Sequence, residues 1–283
     1  SFAAGIADVT GEIELIAENL INGDEYARRW TGNTTSGGKT AILVLSGTSV
    51  PGAVWLDLDG FDAQAEPVNV FGTEGDCMAD GTVNIAAKSG KFLNIAGGAT
   101  RGGTVGTVNF TLAGAAITGS AFVGGMGNAD TVNTLIANGA VEKDFFAGAM
   151  ANRPVEPTMV GEVNLTVEGG DFGNNLYGGS LVRTDGHTDG IVHSVCEINV
   201  TLSGVDSVNP GFSFYAGGMA AGHDDRGDLR TNVYEAGFIN LTITGGDYGT
   251  AAGGRGIFGG IFVGDNQSGG TWGTQAEVTG KEG

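Results

Sequence analysis

Gly161-Glu-Val-Asn-Leu-Thr-Val-Glu-Gly-Gly-Asp-Phe-Gly-Asn-Asn-Leu-Tyr-Gly-Gly-Ser-Leu-Val182 is the phrase that the rest of the chain repeats. Val163, Leu165 and Val167 alternate with Asn164 and Thr166, so a strand here turns three aliphatics inward and two polar residues outward. Gly169-Gly170 stops that strand, and an Asp-Phe-Gly turn follows. A second short apolar run, Leu176-Tyr177, ends in Gly178-Gly179. The unit is strand, glycine turn, strand, glycine turn.

The same phrase returns at Phe238–Gly249, closing with Ile257-Phe258-Gly259-Gly260, and at Ile198–Gly204, closing with Phe214-Tyr215-Ala216-Gly217-Gly218. Upstream it is Val108–Gly114, closing with Phe122-Val123-Gly124-Gly125. Weaker copies start at Val83-Asn84 and Val132-Asn133. Asparagine-to-asparagine steps are 25 (Asn84 to Asn109), 24 (to Asn133), 31 (to Asn164), 35 (to Asn199) and 41 (to Asn240). The strands keep their pattern while the connections lengthen, which places the added residues in loops on one side of a stack.

A unit of two short strands cannot bury its apolar side alone, so the units must stack in register about 4.8 Å apart. Val163, Ile198 and Ile239 are expected to form one internal ladder, and Leu165, Val200 and Leu241 another. The aromatics before the glycine pairs, Phe122, Phe146, Tyr177, Tyr215 and Phe258, are expected to stack as an internal ring ladder, with Met126, Met150 and Met219 as core filler. The fold class predicted is all-β: a parallel β-solenoid or stacked β-arches with long loops on one side. Hairpin turns such as Asn-Gly are rare, which disfavours a sandwich.

Composition narrows the class. The 54 glycines of 283 residues far exceed the usual share of roughly 7%, yet no G-X-Y period exists and only 5 prolines occur. With 13 Lys+Arg against 32 Asp+Glu the net charge is −19, and no basic patch exists to neutralise phosphates. Nucleic acid is therefore excluded as a partner. No stretch of roughly 20 apolar residues exists, so the chain is not expected to be membrane-embedded. It opens at Ser1 without a charged-apolar leader, as a mature secreted form or an excised fragment would.

Three regions follow. Residues 1–38 are a degenerate first rung or a cap: Gly11-Glu12-Ile13-Glu14-Leu15 matches Gly161–Leu165 in pattern, while Ile13, Ile16, Leu20 and Ile21 would also fit one face of a capping helix. Residues 39–270 carry the repeats. Ala41–Gly47 is the expected next first strand with Val54-Trp55-Leu56 as its second, and residues 57–80 form an irregular insertion. Residues 271–283 end in a strand whose Ala276–Gly280 resembles Ala7–Gly11, a candidate contact between subunits.

Few residues suggest chemistry. Asp57-x-Asp59-Gly60-x-Asp62 resembles the start of a calcium loop without its terminal Glu, and is a candidate metal site. Calcium or another divalent cation held between molecules is the only cofactor that the charge suggests. Cys77 and Cys196 could pair with each other, link neighbouring molecules or stay free. The loops Arg183–Ser194 and Ala220–Glu235 carry all three histidines, and His223, Asp224, Asp225, Arg226 and Asp228 form a candidate binding loop. Six Asn-x-Ser/Thr sequons occur. Asn33 and Asn266, in expected loops, are the better glycosylation acceptors, whereas Asn109, Asn164, Asn199 and Asn240 fit a polar ladder bonded along the stack.

The phrase Leu241-Thr-Ile-Thr-Gly-Gly-Asp-Tyr-Gly249, with its closing Ile257-Phe-Gly-Gly260, resembles the repeats of large surface-exposed parallel β-helix proteins, the adhesins and autotransporter passengers. It is similar also to the glycine-rich β-arch proteins of archaeal cell sheaths. The likeness runs from about Thr82 to Gly264 and is one of repeat style, so it implies fold and location more than activity. The expectation is a non-enzymatic extracellular or cell-surface structural protein whose partner is itself, polymerising head-to-tail or laterally into a sheath, filament or surface layer. The alternatives are an adhesin binding glycans or proteins through its long loops, and a polysaccharide lyase or hydrolase of the β-helix type.

Overall fold

The computed structural model describes residues 12–16, 25–31, 42–44, 53–57, 68–72, 78–98, 103–151, 157–183, 191–204, 213–222, 231–245, 256–265 and 273–278. These residues are all-β, with 23 strands and no helix among them. Nineteen strands form one large sheet curled into a half-barrel, and four form a smaller sheet.

The main ladder is built from the first strand of each repeat: Met78–Ala87, Thr104–Ile117, Asn128–Val141, Thr158–Val167, Val192–Leu202 and Thr231–Ile243. Each lies parallel to the next. Val163, Ile198 and Ile239 are direct partners, as are Leu165, Val200 and Leu241, so both expected apolar ladders are present. Alternation gives each strand a buried face, where Val163 and Ile198 have no exposed surface. Each aliphatic buried in this way contributes about 1.5–3 kcal/mol. One bend recurs along the ladder. Val160 and Val163 both face the core with Gly161 and Glu162 between them, and Val195 and Ile198 repeat this around Cys196 and Glu197.

Glycine corners interrupt the ladder, after the main strand at Gly90 and Gly170 and within Thr104–Ile117 and Asn128–Val141 at Gly114 and Gly139. Gly90, Gly114, Gly139 and Gly170 have φ of 87°, 139°, 127° and 118°, a region closed to most side chains. The second strands, Ile42–Val44, Val68–Phe71, Lys91–Ala96, Ala121–Phe122, Phe145–Phe146, Leu176–Tyr177, Phe214–Tyr215 and Ile257–Phe258, form a short-strand ladder, again parallel. The smaller sheet stacks Met150–Ala151, Leu181–Arg183, Met219–Gly222 and Phe262–Asp265 after the glycine pairs.

The early part of the chain departs from expectation. Ala53–Asp57 pairs with Thr82–Ala86 in the main ladder, while Ile42–Val44 joins the short-strand ladder beside Asn69–Phe71. First and second strands are therefore exchanged relative to the sequence reading. The run Ala41–Leu45 is apolar on both parities, so alternation gives it no preferred ladder, whereas Val54 and Leu56 match Val83 and Ile85. Within residues 57–80, Val68–Phe71 is a strand. Glu12–Ile16 is also a strand and runs antiparallel to Glu25–Thr31.

Candidate functional site

The outward face of the main ladder carries a column of six asparagines. Asn109 Nδ2 donates to Asn84 Oδ1 (2.8 Å), Asn133 to Asn109 (2.8 Å), Asn164 to Asn133 (3.0 Å), Asn199 to Asn164 (3.1 Å) and Asn240 to Asn199 (2.8 Å). Every bond runs the same way along parallel strands held in one register. At Asn109, Asn164 and Asn199 both the amide nitrogen and the carbonyl oxygen are used by neighbours. These sequons are therefore engaged along the ladder, while Asn33 and Asn266 lie outside the described residues.

The five aromatics stack as a ladder, with centroid separations of 5.4, 4.4, 5.1 and 4.8 Å from Phe122 through Phe146, Tyr177 and Tyr215 to Phe258, and tilts of 5–12°. The expected ladder is present and Phe146 and Tyr177 are buried, but it packs in a cluster separate from the main core. Phe145 and Phe214, one residue earlier, belong to the main core, so the next side chain faces the other way. Phe146, Tyr177 and Leu181 form a second apolar cluster, closed by Phe122, Met150, Tyr215 and Met219. The turn at each glycine pair folds the smaller sheet over the rings. Below them, burial raises the pKa of the Asp144 carboxyl, which accepts from Asn175 N–H (3.2 Å). Asn175 Nδ2 donates to Tyr177 Oη (3.3 Å), and burial followed by the Asp144 charge pushes that phenol far above its usual pKa.

A buried polar group lies inside the main core. His193, expected in a loop, is an inward residue of strand Val192–Leu202 with no exposed surface. The alternation Ile191-x-His193-x-Val195 was legible and carries it inward. Its Nδ1 lies 2.8 Å from Thr158 Oγ1, its ring stacks on Tyr234 at 5.8 Å, and Nε2 has no protein partner. Burial lowers its pKa to about 4. Tyr234 Oη accepts from Ser180 N–H (3.0 Å), and Ser180 Oγ accepts from Ala149 N–H (2.9 Å). This chain ties the main ladder to the smaller sheet.

An open polar groove of about 350 Å³ runs along the glycine corner, lined by Asn138, Glu168, Asp171 and glycines. It offers two carboxylates, and among the described residues no three metal-binding side chains converge. Of the candidate calcium loop, Asp57 ends strand Ala53–Asp57, while Asp59 and Asp62 lie outside the described residues. The same holds for Cys77, for His187 and for the loop residues His223, Asp224, Asp225, Arg226 and Asp228. Cys196 is a free, exposed thiol 3.9 Å from Met159 Sδ. Among the described residues no helix is long and apolar enough to cross a membrane.

No family model matches the chain, and searches of curated proteins and of solved structures find no match either.

Proposed function

We propose that the stacked repeats are coils of a parallel β-solenoid and that the protein is an extracellular structural subunit, which assembles with copies of itself into a filament, sheath or surface layer. The observation that carries this reading is the continuity of side-chain order. The asparagine steps are 25, 24, 31, 35 and 41 residues, yet each amide meets the next at 2.8–3.1 Å. Sequence variation is absorbed in connections while the ladders stay in register, as stacking of successive repeats requires. The polar ladder and the ring stack both repeat along one axis, so added copies could extend them without new side-chain chemistry.

The acidic surface and the repeat style support an extracellular setting, where divalent cations would lower repulsion between subunits of charge −19. A second reading, an adhesin, is favoured by the growth of the connections toward the C-terminal repeats. Electron microscopy of the purified chain, with and without calcium and reductant, tests the choice. Ordered polymers are expected; discrete rods about one molecule long under all conditions would reject self-assembly in favour of the adhesin.

A further inference from the structure

Among the described residues, the apolar columns are less covered at the last repeat than before it: Ile239 and Leu241 are half-buried against the core, where Ile198 and Val200 are buried. Strand Gly273–Val278 pairs with Thr231–Ala236 and stops there. Among the described residues, the following Gly237–Ile243 has a partner strand, Val192–Leu202, on one side only. Ile243 is 48% exposed and Phe258, the terminal ring of the aromatic ladder, 40%; Phe238, 50% exposed, stands in the outward column of Glu162 and Glu197. One repeat earlier, Leu202 in the Ile243 column is 1% exposed. Asn240 is exposed as well, its amide committed to Asn199.

We propose that this end is a docking surface for a second copy of this chain, which adds its first strands to the stack; this rests on the self-assembly reading and specifies its contact. Register identifies the occupant. Leu43 heads the short-strand column that ends in Ile257, and Val44 heads the column that ends in Phe258. In the main ladder Leu15 heads the column that ends in Leu241.

The steps at the two ends also match. The tail covers the columns of Thr231–Ala236 and leaves those after Gly237 open. At the head, Ala53–Asp57 and Glu25–Arg29 continue the columns of Phe238–Thr242, and Trp30, with Ile13 opposite it, falls in the next column, that of Ile243. Docking therefore places Leu15 over Leu241, in the column that passes through Arg28 to Leu56, Ile13 over Ile243 and Val44 over Phe258. Glu12–Ile16 already pairs antiparallel within its own chain, and an antiparallel junction with Gly237–Ile243 satisfies backbone groups equally well. The contact is heterologous and so builds linear polymers with two different ends.

Ile243→Lys and Phe258→Lys test this, measured beside wild type by light scattering, electron microscopy and melting temperature across protein concentration. Both side chains are about half exposed, so each lysine stays solvated in the monomer and the melting temperature is expected to hold. Burying the ammonium at the junction is expected to weaken association roughly tenfold or more. Ile243→Lys added in minor proportion to wild type is expected to shorten the polymers, because its head docks while its tail accepts nothing. Wild-type polymers with undiminished assembly of both variants, or no shortening in the mixture, would overturn this contact and leave the self-assembly reading standing. Wild type that stays monomeric at every concentration overturns both.

Discussion

At the scale of single residues, Thr134 shows how one exchange disturbs a column. The repeat phrase elsewhere puts an apolar residue after the asparagine, as at Asn164-Leu165-Thr166 and Asn109-Phe110-Thr111, but here it reads Asn133-Thr134-Leu135. Register pairs Phe110 with Thr134 and Thr134 with Leu165, so a hydroxyl enters the apolar column and is buried with Oγ1 unpartnered. Phe110, which meets Phe145 at 6.2 Å, supplies volume beside the small threonine. Thr134→Val keeps the shape and removes an unsatisfied polar group, so urea unfolding is expected to show a gain of about 1 kcal/mol. A loss would mean that the hydroxyl has a partner. His193 gives a second test at this scale. Its folded pKa, about 4, lies below the ordinary 6.5, so the unfolded chain binds more protons between those values. Stability linked to this group is therefore full above pH 6.5 and falls as the pH drops toward 4, by roughly 3 kcal/mol in total. Among the described residues its ring meets Thr158 and Tyr234, neither of which carries a charge that would offset this. His193→Gln is expected to flatten that part of the pH profile of unfolding, and an unchanged profile would place the imidazole in solvent.

Elements were legible where the repeat imposes its own test. Val163 and Leu165 recur at fixed offsets from Asn164, so the apolar ladders, the asparagine column and the order of the five rings follow from the sequence alone. The side on which the rings stack was not legible. It depends on the turn after each glycine pair, a tertiary feature with no periodic signature. The early strands escaped for a related reason: Ile42–Val44 is apolar on both parities, and one such run fits either ladder. Glycine pairs are demanding for a reason that the structure makes plain. A Cβ on Gly179 would collide with the Gly217 carbonyl of the next repeat and with the Tyr234 hydroxyl. Gly179→Ala must push repeats apart and is expected to cost about 3 kcal/mol in unfolding free energy. Gly256 has open space around its Cβ position, so Gly256→Ala is the matched control with little loss.

At the scale of the whole molecule, repeat length and core size rise together. Two residues before the inward Val105, Ala129, Val160, Val195 and Ala236 stand Gly103, Gly127, Thr158, His193 and Tyr234. The side chain grows as the asparagine step grows from 24 to 31, 35 and 41. The smaller sheet begins at Met150, where the first larger repeat opens. Longer repeats thus carry larger inward residues, His193 and Tyr234 both being fully buried. Both ends still share the main and short-strand columns, on which the proposed contact depends. Assembly of subunits of charge −19 is expected to strengthen with ionic strength, because screening weakens their repulsion while apolar contact remains. The most direct test of self-assembly by stacking is fibre diffraction from aligned assemblies of the purified chain. Strands that lie across the axis predict a meridional reflection at about 4.8 Å. A strand-spacing reflection on the equator, or a preparation that yields no assemblies to align, would contradict the account.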